Sequence, residues 1–167
     1  TLVDTPKYIY DYSTPRIITT SPHYAYLKIS EGCNKRCSFC AIPMMRGFYR
    51  SRTINSIVLE AQSLASEGVK ELILVSQDST YYGTDIYGKA TLPTLLRELT
   101  QIDELEWIRL MYTYPSEVND ELMKVIAQEP KICNYLDMPV QHIDDTVLRR
   151  MNRKTSSELI KKKSQQI

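Results

Sequence analysis

The chain has 167 residues, of which 43% are hydrophobic and 25% are charged, a balance typical of one globular domain. Lys and Arg number 21 against 20 for Asp and Glu, so the basic excess that usually accompanies binding to nucleic-acid backbone is missing. No apolar run approaches the ~20 residues that cross a bilayer, and the polar start lacks the apolar core of a signal peptide. We therefore expect a cytoplasmic protein with no membrane partner.

In chain order, residues 1–22 are predicted to be a linker or N-terminal extension, and residues 23–167 to be one domain. Four short apolar or β-rich runs predict strands over 24–30, 70–76, 107–112 and 135–140. Helical periodicity follows Thr53, recurs over 92–102 and 118–126, and continues more weakly over 147–151. Thr91 is expected to be the N-cap of the second of these helices, and Thr155 with Glu158 to cap a last one.

The alternation of strand and helix implies parallel strands with right-handed helical crossovers, because a tight turn cannot join parallel neighbours. The fold class is therefore α/β, either a doubly wound sheet or a (β/α) barrel. Both architectures place ligands at the carboxyl ends of the strands. Four strands cannot close a barrel, so one sheet edge is expected to stay open unless further chain covers it.

Three of the four cysteines lie on one short segment, Cys33-Asn-Lys-Arg-Cys37-Ser-Phe-Cys40. In a chain without a signal peptide, such clustering favours metal or redox chemistry over disulfides. Three thiolates suit a cubane iron–sulfur cluster with one iron left open for a small molecule, and Lys35 and Arg36 would favour gathering anionic sulfurs. A zinc site or a simple electron-transfer cluster would need a fourth ligand, and the next Cys or His after Cys40 is Cys133. Both alternatives stay open if the fold brings Cys133 close, although its apolar setting suggests a buried small residue.

Cys33, Cys37 and Cys40, with the aromatic Phe39 just before the last cysteine, resemble the motif of the radical S-adenosylmethionine family. The resemblance implies an incomplete (β/α) barrel of the radical SAM type over residues 23–167. It also implies a 4Fe-4S cluster on the three cysteines, with S-adenosyl-L-methionine bound at the open iron and near Phe39. Reductive cleavage of that cofactor would yield a 5′-deoxyadenosyl radical that abstracts hydrogen.

Longer segments resemble the methylthiotransferases of this family, namely 27–43 (LKISEGCNKRCSFCAIP), 68–78 (GVKELILVSQD) and 135–142 (YLDMPVQH). Residues 75–88 and 111–122 resemble the RimO-type branch, which modifies an aspartate of a small-subunit ribosomal protein. The resemblance implies that ribosomal protein as substrate and a reductase or flavodoxin-like protein as electron donor. It further implies an N-terminal domain with a second 4Fe-4S cluster, the remaining barrel units and a C-terminal domain. The alternatives are a sister-branch enzyme acting on transfer RNA, the one case with a nucleic-acid partner, or a non-catalytic fragment.

The resemblance also implies cofactor-binding residues at the strand ends. Gln77 and Asp78 follow the second strand, where the methionine amino group is expected, although the usual Gly-Gly-Glu is absent. Gln141 and His142 follow the fourth strand, near the expected ribose and adenine. Arg153 follows the fourth helix and, like the arginines at 46, 50 and 52, would neutralise the cofactor carboxylate or steer an acidic substrate. No residue is singled out as an acid or base catalyst.

Overall fold

The computed structural model describes residues 6–166, so residues 1–5 of the predicted linker and Ile167 lie outside the described residues. The strands are β1 (Tyr24–Lys28), β2 (Ser30–Glu31), β3 (Arg50–Ser51), β4 (Glu71–Val75) and β5 (Trp107–Leu110). The helices are α1 (Ile42–Arg46), α2 (Ile54–Ser66), α3 (Thr84–Tyr87), α4 (Leu92–Thr100), α5 (Asp120–Gln128), α6 (Asp145–Arg150) and α7 (Ser157–Gln166). Two 3₁₀ turns, Ser79–Tyr81 and Pro115–Glu117, follow β4 and β5.

The main sheet has three parallel strands in the order β1-β4-β5, which confirms the predicted α/β class. Helix α2 lies in the connection from β1 to β4, and α3 and α4 lie in the connection from β4 to β5. Because the strands are parallel and adjacent in this order, their carboxyl ends meet along one edge of the sheet. The segments that follow Lys28, Val75 and Leu110 therefore converge there.

One face of the sheet is closed and the other is partly open. Alternate residues of the strands point into the core and have no more than 1% of their surface exposed, a set comprising Ala25, Leu27, Leu72, Leu74, Ile108 and Leu110. Helix α4 contributes the stripe predicted from its periodicity, Leu92, Leu95, Leu96 and Leu99. The opposite face carries polar and aromatic residues, among them Tyr26, Lys28 and Arg109.

The predicted fourth strand over 135–140 is wrong, because the run forms no ladder and the chain over 132–137 contacts the β5 edge at two separate points. Ile132 forms an isolated parallel bridge with Ile108, and the N–H of Thr113 donates to the carbonyl of Asp137 over 2.8 Å. Between these points the N–H of Tyr135 donates to the carbonyl of Cys133, a three-residue turn that removes a donor from the ladder. Local turn formation therefore overrides the β propensity of this run.

The helix boundaries follow the sequence pattern, but two caps differ from their predictions. Thr53 Oγ1 accepts from the Ser56 N–H at the start of α2, as its position suggests. Thr91 precedes α4, but its buried hydroxyl neither caps the helix nor makes any other hydrogen bond in the described part of the chain. Ser156 takes the capping role predicted for Thr155, since its Oγ accepts from the Leu159 N–H. Among the helices of residues 6–166, none is both long enough and apolar enough to span a lipid bilayer.

Candidate functional site

The cysteine segment lies on an excursion of the chain, residues 32–49, that is closed at its base by strand pairing. β2 and β3 pair antiparallel, with Ser30 opposite Ser51 and Glu31 opposite Arg50. The three cysteines and helix α1 lie on the excursion between these strands, just beyond the carboxyl end of β1. The Ser30 hydroxyl donates to Tyr49 Oη over 2.8 Å, and Tyr49 Oη donates to the Asp78 carbonyl over 2.9 Å. These bonds tie the base of the excursion to the segment that follows β4.

Gly32 opens the excursion in a left-handed conformation, with φ of 82°. A Cβ at this position would lie 2.3 Å from the Phe48 carbonyl oxygen and 2.7 Å from that of Gly47. The N–H of the following Cys33 donates to the Gly47 carbonyl, and Asn34 Oδ1 accepts from the Tyr49 N–H over 3.0 Å. Only glycine permits this close passage of the two arms of the excursion.

The three thiols differ in burial but influence one another electrostatically. Cys33 is buried, whereas Cys37 and Cys40 are half-buried. Burial raises the pKa of the Cys33 thiol, and the charge of Asp78 and the neighbouring thiols of Cys37 and Cys40 add to the effect. In residues 6–166 no three Cys, His, Asp or Glu side chains are gathered as ligands of a single metal ion.

Cys133 occupies a different region from the three clustered cysteines. Burial also raises the pKa of its thiol, and the charges that act on it are those of Arg109 and Glu71. Glu71 is the first residue of β4, so this environment lies toward the amino end of that strand. The fold therefore gives no support to Cys133 as a fourth ligand on the cysteine loop.

The segment after α6 docks onto the cysteine loop through main-chain groups. Ser38 donates its N–H to the Met151 carbonyl over 3.0 Å and its hydroxyl to the Arg150 carbonyl over 2.9 Å. The Asn152 side-chain amide donates to the Arg36 carbonyl over 2.6 Å. These three bonds join parts of the chain more than 100 residues apart, with separations of 112 and 116 residues for the two side-chain bonds. They fix the loop between Cys33 and Cys40.

Arg153 extends this docking to a thiol. Its side chain is buried, and Nη1 lies 3.8 Å from Cys37 Sγ, within the range of a hydrogen bond to sulfur. Nη2 donates to the Pro139 carbonyl, and the guanidinium carbon lies 4.3 Å from the centre of the Tyr114 ring. Arg153 was expected near the cofactor from the sequence, and the structure places it beside a cysteine.

Lys35 links the cysteine loop to the carboxyl ends of β4 and β5. Its Nζ donates to Glu117 Oε1 over 2.7 Å, lies 3.8 Å from Asp78 Oδ2 and sits 4.3 Å from the centre of the Tyr114 ring. Burial alone would lower the pKa of Lys35, but the bond to Glu117 and the charge of Asp78 raise it overall. From the sequence, the charge of Lys35 was expected to favour the gathering of anionic sulfurs. The acidic partners of Lys35 were found only in the fold. The one sequence signal for Glu117 was its position after a strand end.

Gln77 and Asp78 lie at the carboxyl end of β4, as predicted. Asp78 is buried, with Oδ1 accepting from the Thr80 hydroxyl over 2.6 Å while Oδ2 accepts no hydrogen bond. Gln77 Oε1 is likewise buried without a donor. Burial raises the pKa of the Asp78 carboxyl, with the Thr80 bond and the charge of Lys35 opposing that effect. Neither of these two oxygens accepts a hydrogen bond from residues 6–166, and Lys35 Nζ reaches Asp78 Oδ2 only as an ion pair at 3.8 Å. Buried acceptors without a hydrogen bond are uncommon unless a ligand or water supplies a donor.

Two cavities open at this end of the sheet. The first, of about 300 Å³, is lined by Cys33, Asn34, Arg36, Pro43 and Phe48. The second, of about 390 Å³, is lined by Lys28, Ile42, Val75, Ser76, Gln77 and Tyr112. The second falls in the size range of small-molecule sites, and it lies beside Gln77 where the strands end.

The other residues predicted for the site are more exposed. Phe39 has 54% of its surface exposed at the outer side of the cysteine loop. Gln141, with φ of 70°, and His142 are exposed, and His142 Nδ1 accepts from the Asp144 N–H in a local turn. No hydrogen bond or ion pair within residues 6–166 joins either of them to the three cysteines.

Arg50 and Arg52, which lie in β3 and just after it, make hydrogen bonds and an ion pair within the protein. Arg52 is buried, lies 2.6 Å from Glu60 Oε2 and donates to the Lys28 carbonyl, so it binds α2 to the end of β1. Arg50 donates to the carbonyls of Phe48 and Arg46 within its own segment.

The three cysteines lie on a loop beyond the ends of parallel strands, with buried acceptors and a cavity beside them. This is the arrangement expected of the family that the cysteine motif resembles. The sequence profile described as the Radical SAM superfamily matches residues 27–164. The chain therefore belongs to the radical SAM superfamily.

Individual relatives agree with this class. The chain is 51% identical, over 98% of its length, to the ribosomal protein uS12 methylthiotransferase RimO of Caldicellulosiruptor saccharolyticus. It is 59% identical, over 87% of its length, to the protein of the same name from Clostridium novyi. The chain spans 37% and 33% of the length of these two relatives.

Solved structures support the fold. The radical S-adenosylmethionine methyltransferase TsrM of Kitasatospora setae superposes with a TM-score of 0.66 at 21% identity, over 87% of this chain and 28% of that one. The cobalamin-dependent radical enzyme OxsB superposes with a TM-score of 0.63 at 15% identity, over 81% of this chain and 21% of that one. At these identities the likeness concerns the fold alone.

The first prediction concerns the close passage at Gly32. The control is Gly88→Ala, which we expect to cost about 1–2 kcal/mol of unfolding free energy. A left-handed alanine with φ of 71° is strained there, but its Cβ would meet no atom within 4 Å. Gly32→Ala should cost more, because the new Cβ also meets two backbone carbonyls. Denaturant unfolding measures both, and equal losses would show that the excursion relaxes freely.

The second prediction follows from the raised pKa of Asp78. The folded chain binds this proton more tightly than the unfolded chain, so the carboxyl lowers stability as pH rises above about 4. We expect Asp78→Asn to raise the unfolding free energy at pH 7 and to flatten its decline between pH 4 and 7. The exposed Asp103→Asn serves as the control. A less stable Asp78→Asn at pH 7 would contradict the assignment.

Proposed function

We propose that this chain is the S-adenosylmethionine-cleaving core of a methylthiotransferase that modifies an aspartate of a small-subunit ribosomal protein. One observation carries the proposal. The only cysteine triad within residues 6–166 lies at the carboxyl ends of the parallel strands, against Lys35, Arg153 and the unpartnered acceptors after β4. Ligand sites of parallel α/β folds lie at this end.

The residues present fit a 4Fe-4S cluster held by Cys33, Cys37 and Cys40. Three soft thiolates on one loop suit iron and sulfide, and they leave one iron without a protein ligand. The guanidinium of Arg153, which lies beside Cys37 Sγ, places positive charge near a group that would be anionic. When bound, the cluster supplies the electron that cleaves the cofactor into methionine and a 5′-deoxyadenosyl radical.

The acceptors after β4 suit the amino group of S-adenosyl-L-methionine. Asp78 Oδ2 and Gln77 Oε1 are buried and accept no hydrogen bond from the described residues, so an ammonium donor would satisfy both. Burial raises the pKa of the Asp78 carboxyl, as expected of a carboxylate that is kept away from water for binding. The exposed ring of Phe39 offers an apolar face to the adenosyl part, and Gln141 and His142 are proposed for its ribose and adenine.

The substrate is proposed from the relatives, whose name specifies ribosomal protein uS12. The net charge of +1 is compatible with a protein substrate, since nothing in it favours nucleic acid. A second 4Fe-4S cluster in an N-terminal domain and a reductase or flavodoxin-like electron donor complete the proposed reaction. The four free thiols agree with a reducing compartment, for which we propose the cytoplasm.

The third prediction tests the cluster directly. After anaerobic reconstitution of the full-length protein, Cys33→Ala, Cys37→Ala and Cys40→Ala should each lose about four irons per chain. Each should also abolish reductant-dependent formation of 5′-deoxyadenosine. Cys133→Ala is the matched control and should keep both. Iron content and 5′-deoxyadenosine formation unchanged in the three variants would refute the proposal and leave a non-catalytic fold.

The fourth prediction concerns the substrate. The full-length protein, given S-adenosyl-L-methionine, a reductant and sulfide, should add a methylthio group to an aspartate of recombinant uS12, detected by peptide mass spectrometry. Unmodified transfer RNA in a parallel reaction should gain nothing. Methylthiolation of the RNA with none on uS12 would instead assign the chain to the sister branch.

A further inference from the structure

The buried guanidinium of Arg153 is committed to the protein rather than turned toward a ligand site. The residue has 8% of its surface exposed, and its Nε is buried and makes no hydrogen bond within residues 6–166. Nη2 donates to the Pro139 carbonyl, and Nη1 lies 3.8 Å from Cys37 Sγ. A guanidinium in this arrangement has two of its nitrogens on protein atoms and the third out of reach of any small molecule.

Tyr114 fixes the plane of that guanidinium. The ring centre lies 4.3 Å from the Arg153 guanidinium carbon and also 4.3 Å from Lys35 Nζ. The Tyr114 hydroxyl accepts from the Lys154 N–H over 2.9 Å, so the ring is anchored to the residue after Arg153. Stacking on an anchored aromatic ring holds a planar cation in one orientation.

We propose that Arg153 is a positioning residue that acts through Cys37. Its N–H group donates to the cysteine sulfur, and its charge favours the reduced and more negative state of the metal centre on that sulfur. It does not bind the carboxylate of the cofactor, which was the role expected from the sequence. This inference rests on the proposed function, because it presupposes a cluster ligated by Cys37.

The physical reason is the position of the charge. Hydrogen bonds to ligand sulfurs and nearby charge are among the main factors that set the reduction potential of an iron–sulfur cluster. A buried cation is weakly screened, so its effect on an added electron is larger than that of an exposed one. Lys35 is neutralised by Glu117 over 2.7 Å, whereas no ion pair involving Arg153 is found within residues 6–166. The positive charge of Arg153 therefore acts on the loop without an acidic partner.

The test compares Arg153→Gln, Arg153→Lys and the exposed Arg149→Gln in the full-length reconstituted protein. Arg149 is the matched control, because it lies on α6 and its only side-chain hydrogen bond in the described part of the chain is to Thr146 Oγ1. The samples are poised anaerobically at the midpoint potential of the wild-type cluster. The readouts are the EPR signal that responds to S-adenosyl-L-methionine and the affinity for that cofactor.

We expect Arg153→Gln to lower the ratio of reduced to oxidised cluster about tenfold, which corresponds to about 59 mV for a one-electron couple. Arg153→Lys keeps the charge but loses the planar donors, so its ratio of reduced to oxidised cluster should lie between those of the wild type and Arg153→Gln. Arg149→Gln should match the wild type. Cofactor affinity should change less than twofold in all three. If Arg153→Gln does not retain iron, the same two readouts are compared between Arg153→Lys and the wild type, and the ratio of reduced to oxidised cluster should again be lower in the variant.

An unchanged ratio in the Arg153 variants, with cofactor affinity reduced tenfold, would overturn the inference and return Arg153 to the cofactor carboxylate. A wild-type protein with no cofactor-responsive signal would instead overturn the proposed function, and this inference with it.

Discussion

The site depends on ordering residues 32–49, a stretch that buries little of its own apolar surface, since Phe39, Met44, Met45 and Phe48 are all exposed. Fixing such a stretch costs conformational entropy that local contacts within it cannot offset. The β2–β3 pairing closes its base, so that the loop is already short when the remaining contacts form. Gly32 allows the two arms to pass closely, and Tyr49 fastens them to the end of β4. The loop that carries the three thiols is thereby held at the carboxyl ends of the strands.

The second support is electrostatic and comes from distant parts of the chain. Lys35 contacts Glu117 and Asp78, while Arg153 reaches Cys37 from beyond α6. Burying these charges is unfavourable unless they are paired or serve a bound group. Tyr114 packs against both cations, and because Glu117 pairs with Lys35, the positive charge left beside the cysteines is that of Arg153. A site built to hold an anionic cluster and to accept an electron needs charge of this sign.

The two faces of the main sheet also differ in the residues they carry. Its closed face packs on helices with fully buried Leu, Ile and Ala, and this face supplies the stability. Its other face carries Lys28, Glu71 and Arg109, with Arg109 Nε 2.6 Å from Glu71 Oε1. Parallel sheets are usually covered on both faces, and the polar face here leads to the cavity beside Gln77. The same strands thus provide a rigid core on one side and a binding surface on the other.

The sequence by itself determined the parallel α/β class, the main helices, the cysteine triad and the polar strand ends, because periodicity and ligand spacing are local properties. The tertiary structure decided the rest. It replaced the predicted fourth strand with a turn at Tyr135, because a local hydrogen bond there competes with the ladder. It separated Cys133 from the triad and brought Arg153 to Cys37 across 116 residues. Such partnerships depend on how the chain is packed, and no spacing in the sequence encodes them.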